Sequence, residues 1–153
     1  MRVKQIMTKD FVALKPDSTY EEAVSLLCKN NLNGAIVVDK DNSLIGYLSE
    51  KDLFRVLYPY YKSFYEHPEN YANGEQREEK AHEVRYHKIE NFMSKSVLTV
   101  NPDTPIMNAG ALMLANRVHQ FPVVENGKVV GMINREMIYK TVFKNSFKDI
   151  ENC

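Results

Sequence analysis

The chain repeats itself, and this constrains its fold more than any other feature. The stretch "IMTKDFVALKPDSTYEEAVSLLCKNNLNGAIVVD" aligns with "FMSKSVLTVNPDTPIMNAGALMLANRVHQFPVVE" in one constant register. Met7 falls on Met93, Lys9 on Lys95, Pro16 on Pro102 and Asp17 on Asp103. Ala23 falls on Ala109, Leu26 on Leu112, Asn30 on Asn116, and Val37-Val38 on Val123-Val124. After one deletion in the second copy, Gly46 falls on Gly131. Chance does not produce so many matches in one register, so the sequence is a tandem duplication with a long insertion between the copies.

Each copy predicts the order β-α-β-β-α. A brief strand, Phe11 to Leu14 or Val97 to Val100, leads to a Pro-Asp turn. A helix follows, over about 19–31 or 105–116. Thr19 with Glu22, or Ser18 with Glu21, offers a capping box for the first helix. Thr104 before Pro105 predicts an N-cap and a preset first turn for the second. Ala23, Val24, Leu26 and Leu27 form one broad apolar face. Cys28 falls within that pattern and reads as a small core residue, whereas Cys153 is the last residue and reads as loose. Two strands come next, "GAIVVD" and "SLIGYL" or "FPVVE" and "KVVGMI", joined by Lys40-Asp41-Asn42 or Asn126-Gly127. A closing helix begins near Ser49 or Asn134. One half of this size buries little surface alone, so two halves are expected to pack together.

The expected boundaries are 1–57 for the first repeat, 58–88 for a helical and charged insertion, 89–146 for the second repeat and 147–153 for a tail. The insertion holds most of the nine tyrosines and every histidine except His119. Tyr58, Tyr61 and Tyr65 recur at helical spacing, which predicts that the first closing helix continues through Pro59 with a kink. Residues 74 to 87 suit an exposed helix. Packing against the repeats or across a dimer accounts for this segment better than nucleic-acid binding, because the stretch carries no net positive charge. His82 and His87 are too sparse for a metal site.

Composition excludes several classes. Twenty basic residues balance twenty acidic ones, so no overall field draws the protein to nucleic acid or to an anionic membrane. No apolar run approaches the ~18 residues of a membrane span, and the first residues lack a secretory leader. The two cysteines have no metal or redox spacing. A cytoplasmic chain is the expectation. No HExxH, P-loop or GxGxxG occurs, and no Ser-His-Asp arrangement is legible, so no catalytic residue and no metal ligand is assigned. Asp17 and Asp103 follow prolines at turns and read as structural.

The pieces "VNPDTPIMNAGALMLANRVHQFPVVENGKVVGMI" and "LKPDSTYEEAVSLLCKNNLNGAIVVDKDNSLIGYLSEKDL" resemble the two repeats of a CBS domain pair, also called a Bateman module. "NRVHQFPVV" also resembles the matching segment of the gamma subunit of AMP-activated protein kinase. The resemblance implies an α/β (α+β) fold in which two β-α-β-β-α repeats pack with pseudo-two-fold symmetry around two clefts. It also implies an adenine nucleotide or adenosine derivative as ligand, AMP before ATP, with no cofactor. Pairing into a homodimer and regulation of an enzyme or transporter in trans are further implications. A ligand-free dimerisation module and an enzyme acting on nucleotides are the alternatives.

Ser49-x-x-Asp52, in "GYLSEKD", is the sharpest candidate. Capping alone explains both residues. In the family the resemblance points to, the hydroxyl and the carboxylate face the cleft and the Asp holds the ribose. A carboxylate can accept from both ribose hydroxyls, and such charged acceptors are strong. The resemblance places Ser49, Lys51 and Asp52 across from Thr99, Val118, His119, Gln120 and Pro122, with His119 toward phosphate. Gln120 stands where the kinase subunit has a basic residue. The second cleft would pair Asn134 and Arg135 with Val12, Asn33, Gly34 and Ile36. There Met137 replaces the aspartate, and a thioether cannot receive two hydroxyls, so this cleft is expected to be the weaker.

Overall fold

The computed structural model describes residues 1–58, 61–71, 74–147 and 150. It is an α+β protein whose two sets of elements match the two sequence copies. In the first, β1 (Ala13–Leu14) precedes α1 (Tyr20–Lys29), β2 (Gly34–Val38), β3 (Leu44–Ser49) and α2 (Glu50–Arg55). The insertion contributes α3 (Gly74–Val84). The second copy has α4 (Ile106–Asn116), β4 (Gln120–Glu125), β5 (Lys128–Asn134) and α5 (Arg135–Ser146). The strand expected over 97–100 is reduced to one parallel bridge, Val100 to Val123. It sits where β1 pairs in parallel with β2 in the first copy.

Local chemistry explains the boundaries. Thr19 caps α1 and Glu22 closes the box, as the sequence predicts. The Asn126-Gly127 turn has φ of 52° and 78°, the pair of positive angles that a tight hairpin between β4 and β5 requires. Two expectations about local placement also fail. Thr104 does not cap α4: its hydroxyl accepts from the Asn101 amide within the preceding turn, and Pro105 occupies the cap position. Cys28 is exposed, because α1 turns Tyr20, Ala23 and Leu27 inward and leaves position 28 on the outer face.

The chain forms two compact units that do not follow the repeat boundaries. One comprises Met1–Val12, Asp41–Leu44 and Leu98–Cys153; the other comprises Ala13–Lys40 and Ile45–Val97. Each repeat has therefore exchanged its leading segment. In the first unit Val3 is fully buried with Val100, Ile106, Met113, Phe121 and Ile133, and Ile6 and Met7 pack on that core. Thr8 exchanges backbone hydrogen bonds of 2.9 Å with Met132. In the second unit Ile89 joins Leu14, Tyr20, Leu27, Val37 and Leu48, with Phe92 and Met93 against them. Ser94 there exchanges 2.9 Å bonds with Tyr47.

The insertion docks on the second unit. Val84, at the end of α3, is buried in that unit's core. The Tyr20 and Glu21 amides donate to the His87 and Arg85 carbonyls at 2.8 and 3.1 Å. The first closing helix stops at Arg55 rather than running on toward Pro59. Pro59 lies outside the described residues, as do most of the tail and Cys153.

Candidate functional site

Strand β3 delivers Ser49 to the start of α2 with extended backbone, φ −105° and ψ 161°. Its hydroxyl accepts from the Asp52 amide at 3.2 Å. The Asp52 carboxylate reaches back: Oδ2 accepts from the Ser49 amide and from the Ser49 hydroxyl, both at 2.9 Å. The capping reading of Ser49-x-x-Asp52 thus holds in full. Among the described residues Oδ1 has only a distant partner, the Arg55 guanidinium at 3.5 Å. The Asp52 side chain is 16% exposed and that of Arg55 50%. A pair that long and that wet contributes little to stability. A carboxylate has about four acceptor positions, so capping leaves acceptor capacity on Oδ1. Arg55 follows Asp52 by one helical turn, and that i, i+3 spacing was the signal for it in the sequence.

The segment before β2 is fixed to the same helix. The Asn33 carbonyl accepts from the Glu50 amide at 2.9 Å. Gly34 is held close under the Tyr47 ring, so that a Cβ at position 34 would collide with the phenol hydroxyl. Ile36 is buried at 1% exposure and can offer a ligand only its backbone. Lys51 is exposed on the first turn of α2.

The second copy reproduces this frame with different chemistry. Asn134 Oδ1 accepts from the Met137 amide at 2.8 Å, so the cap survives without a carboxylate. The Arg135 amide donates to the His119 carbonyl at 2.8 Å, the counterpart of the Glu50 to Asn33 bond. His119, Arg135 and Thr99 are exposed, Val118 and Gln120 are half-buried, and Pro122 is buried in β4. Met137 is partly buried and packs against the apolar core of its unit.

The structure therefore brings Asn33, Gly34 and Ile36 together with Ser49, Lys51 and Asp52 in one unit. Val12, Thr99, Val118, His119, Gln120 and Pro122 belong, with Asn134 and Arg135, to the other. Among the described residues no three His, Cys, Asp or Glu side chains gather as metal ligands would. No helix among them is long and apolar enough to cross a membrane.

A family model for the CBS domain matches residues 3–59 and 89–144. A CBS domain-containing protein of Dictyostelium discoideum is 29% identical over 143 residues, covering 93% of this chain and 91% of its own. The inosine-5′-monophosphate dehydrogenase of Methanocaldococcus jannaschii is 23% identical across 97% of this chain, which corresponds to only 25% of the enzyme. Among solved structures, the CBS-pair protein CBSX2 of Arabidopsis thaliana superimposes with a TM-score of 0.76 at 21% identity, covering 95% of this chain and 96% of that one. CBSX2 has also been solved in complex with AMP, with a TM-score of 0.72, 21% identity, and coverage of 95% and 98%. The CBS domain pair of protein MJ0100, in complex with 5′-methylthioadenosine and S-adenosyl-L-methionine, gives a TM-score of 0.67 at 22% identity, covering 95% of this chain and 98% of that one. With the family model spanning both copies and the fold shared along the chain, the protein belongs to the CBS domain family and carries two CBS repeats in tandem.

Proposed function

We propose that this protein is a non-catalytic regulatory module that binds an adenosine-containing ligand, AMP first among them, with the ribose on Asp52. The observation that carries the reading is the division of labour within that carboxylate. Oδ2 is consumed by the helix cap, while among the described residues Oδ1 meets only Arg55, at 3.5 Å. The cap immobilises the side chain before a ligand arrives, so little rotamer freedom is left to lose on binding. The adenosine ligands of CBSX2 and of the MJ0100 pair support the choice of ligand class. Thr99, Val118, His119, Gln120 and Pro122 are proposed to complete recognition of base and phosphate, and Lys51 to assist at the phosphate. The second set, with Asn134 and Arg135 but no carboxylate, is proposed to bind ribonucleotides weakly.

The module is further proposed to act in the cytoplasm as a homodimer, regulating an enzyme or transporter in trans. Exposed apolar side chains on α4 and at α5 of one unit support self-association. Met107 and Leu114, seven residues apart on α4, are 62% and 70% exposed, and Tyr139 on α5 and Phe147 just past its end are 57% and 52% exposed. The same side chains are what favour the second reading, a dimerisation module without ligand. Native mass spectrometry of the purified protein, followed by calorimetric titration with AMP, adenosine, 5′-methylthioadenosine and S-adenosyl-L-methionine, decides between them. Saturable binding of at least one of the four is expected; a dimer that binds none supports the second reading.

A further inference from the structure

The insertion builds an aromatic cavity that the proposed adenosine site does not use. It has a volume of about 670 Å³ and lies within one unit, between the end of α2 and the start of α3. Phe54, Tyr58, Tyr61, Phe64 and Tyr65 line it, together with Leu57, Gly74 and Glu78. Among the described residues no basic side chain lines it. Arg55, the neighbour of Phe54 on α2, does not line it; its guanidinium lies 3.5 Å from Asp52 Oδ1.

Two features narrow the guest. The first is ring geometry. Phe54 and Tyr58 lie 5.0 Å apart and are tilted by 47°, and Phe64 and Tyr65 lie 5.4 Å apart at 80°. A slot for a flat heterocycle needs parallel walls, whereas rings set at steep angles turn their π faces in several directions. Such an arrangement suits a compact, rounded guest. The second feature is charge. Ring faces carry negative electrostatic potential, and the one charged residue among the described lining residues, Glu78, is also negative. A guest that is round and positive satisfies both, and its alkyl groups cover aromatic surface that otherwise faces water: Phe54 is 60% and Tyr65 96% exposed. An anionic guest fails on charge, and a flat neutral one fails on both counts.

We propose that this cavity binds a methylated ammonium group, with the five rings around the cation and Glu78 as its counter-charge. Because it shares no residue with the Ser49–Asp52 site, it stands or falls independently of the adenosine reading.

The test uses the full chain and tyrosine fluorescence, since the protein has no tryptophan. The probes are choline and its neutral isostere 3,3-dimethylbutan-1-ol, which has the same shape without the charge. Choline is expected to bind saturably, with the isostere about tenfold weaker. Glu78→Gln should weaken choline severalfold and leave the isostere unchanged. Tyr65→Leu keeps apolar bulk but removes one π face, and at so exposed a position it leaves the fold intact; it should weaken choline and not the isostere. Equal binding of choline and the isostere, or no saturable choline binding by the folded parent protein, overturns the proposal. AMP titrations run on the same variants should not change, whatever the outcome with choline.

Discussion

The sulfur of Met93 lies directly against Gly46. A Cβ built on that glycine would stand 2.7 Å from the sulfur and 2.8 Å from the Ser94 carbonyl oxygen. Met7 and Gly131 repeat the arrangement in the other unit, at 2.8 Å to the sulfur and 2.8 Å to the Thr8 carbonyl oxygen. These two contacts are where each exchanged leading segment meets the sheet it joins. The thioether can move aside, but the backbone carbonyl beside it cannot without breaking the paired bonds of Tyr47 with Ser94, or of Met132 with Thr8. Gly46→Ala and Gly131→Ala should each lower stability by about 1–3 kcal/mol, the range for overpacking a well-filled site. Urea denaturation measures it. If both variants match the parent midpoint, the exchanged segments are not held as tightly as the geometry indicates.

Tyr20 links α1 to α2 through its hydroxyl, which donates to the Leu53 carbonyl at 2.7 Å in the buried core. Burial raises its pKa above the ordinary 10.0. The folded state therefore holds the phenol proton more tightly than the unfolded chain does. That part of the stability is fully present below pH 10 and is lost as pH rises through the higher folded value. Tyr20→Phe leaves a buried carbonyl without its partner, which should cost about 1–3 kcal/mol at neutral pH. The difference between parent and variant should shrink above pH 10. A constant difference across that range in denaturation curves would show that the phenol does not titrate in the way its burial implies.

Much of this architecture was legible in the sequence, for reasons that differ by element. Thr19 with Glu22 and Asn126-Gly127 are local signals, and they form the cap and the turn their chemistry dictates. Cys28 was misread because the apolar pattern of α1 is broad, and only the packing of Ala23 and Leu27 decides which edge of it faces out. Thr104 had two local partners available, and the turn amide of Asn101 won over the helix. The exchange of leading segments was not legible at all. Val3 and Ile89 are equally good core residues for either repeat, and nothing in a one-dimensional pattern says which core takes them. The cap at Ser49-x-x-Asp52 was readable from spacing, but Arg55 and the Asn33 carbonyl complete the surroundings only once the helix and the preceding loop are placed.

Self-association should depend on the exposed apolar side chains on α4 and at α5. The rings of Tyr139 and Phe143 on α5 and of Phe147 just past its end follow one another at 4.9 and 5.5 Å. Leu114→Glu places a charge on the neighbouring helix at a site already 70% exposed, so folding should be undisturbed. In light scattering the parent is expected at twice 17.7 kDa and Leu114→Glu at 17.7 kDa. A parent that remains at 17.7 kDa at micromolar concentration removes the homodimer from the proposal.

The absence of a carboxylate at Met137 sets the stoichiometry. Asn134 keeps the cap, but the position equivalent to Asp52 carries a partly buried methionine packed against the core of its unit. Calorimetry should therefore find one strong adenosine site per chain. Two sites of equal affinity would mean that ribose is held by groups common to both copies, and would take Asp52 out of the mechanism.

Asp52 itself can be made to show its two roles separately. Asp52→Ala removes the bonds to the Ser49 amide and hydroxyl as well as the acceptor on Oδ1. Loss of a carboxylate in the first turn should cost about 0.3–1 kcal/mol of stability. Loss of a hydrogen bond to a charged group should weaken ligand binding by about 1.5–3 kcal/mol. Asp52→Asn separates the two effects. Its amide oxygen can still accept from the Ser49 amide, so the melting temperature should stay near that of the parent. Its other terminus is now a donor and carries no charge, so affinity for adenosine and for AMP should fall together. His119→Ala is the control for the phosphate and should weaken AMP more than adenosine. An Asp52→Asn protein that melts lower than the parent yet binds AMP equally well would mean the carboxylate serves only the helix, and the ribose must then be sought elsewhere.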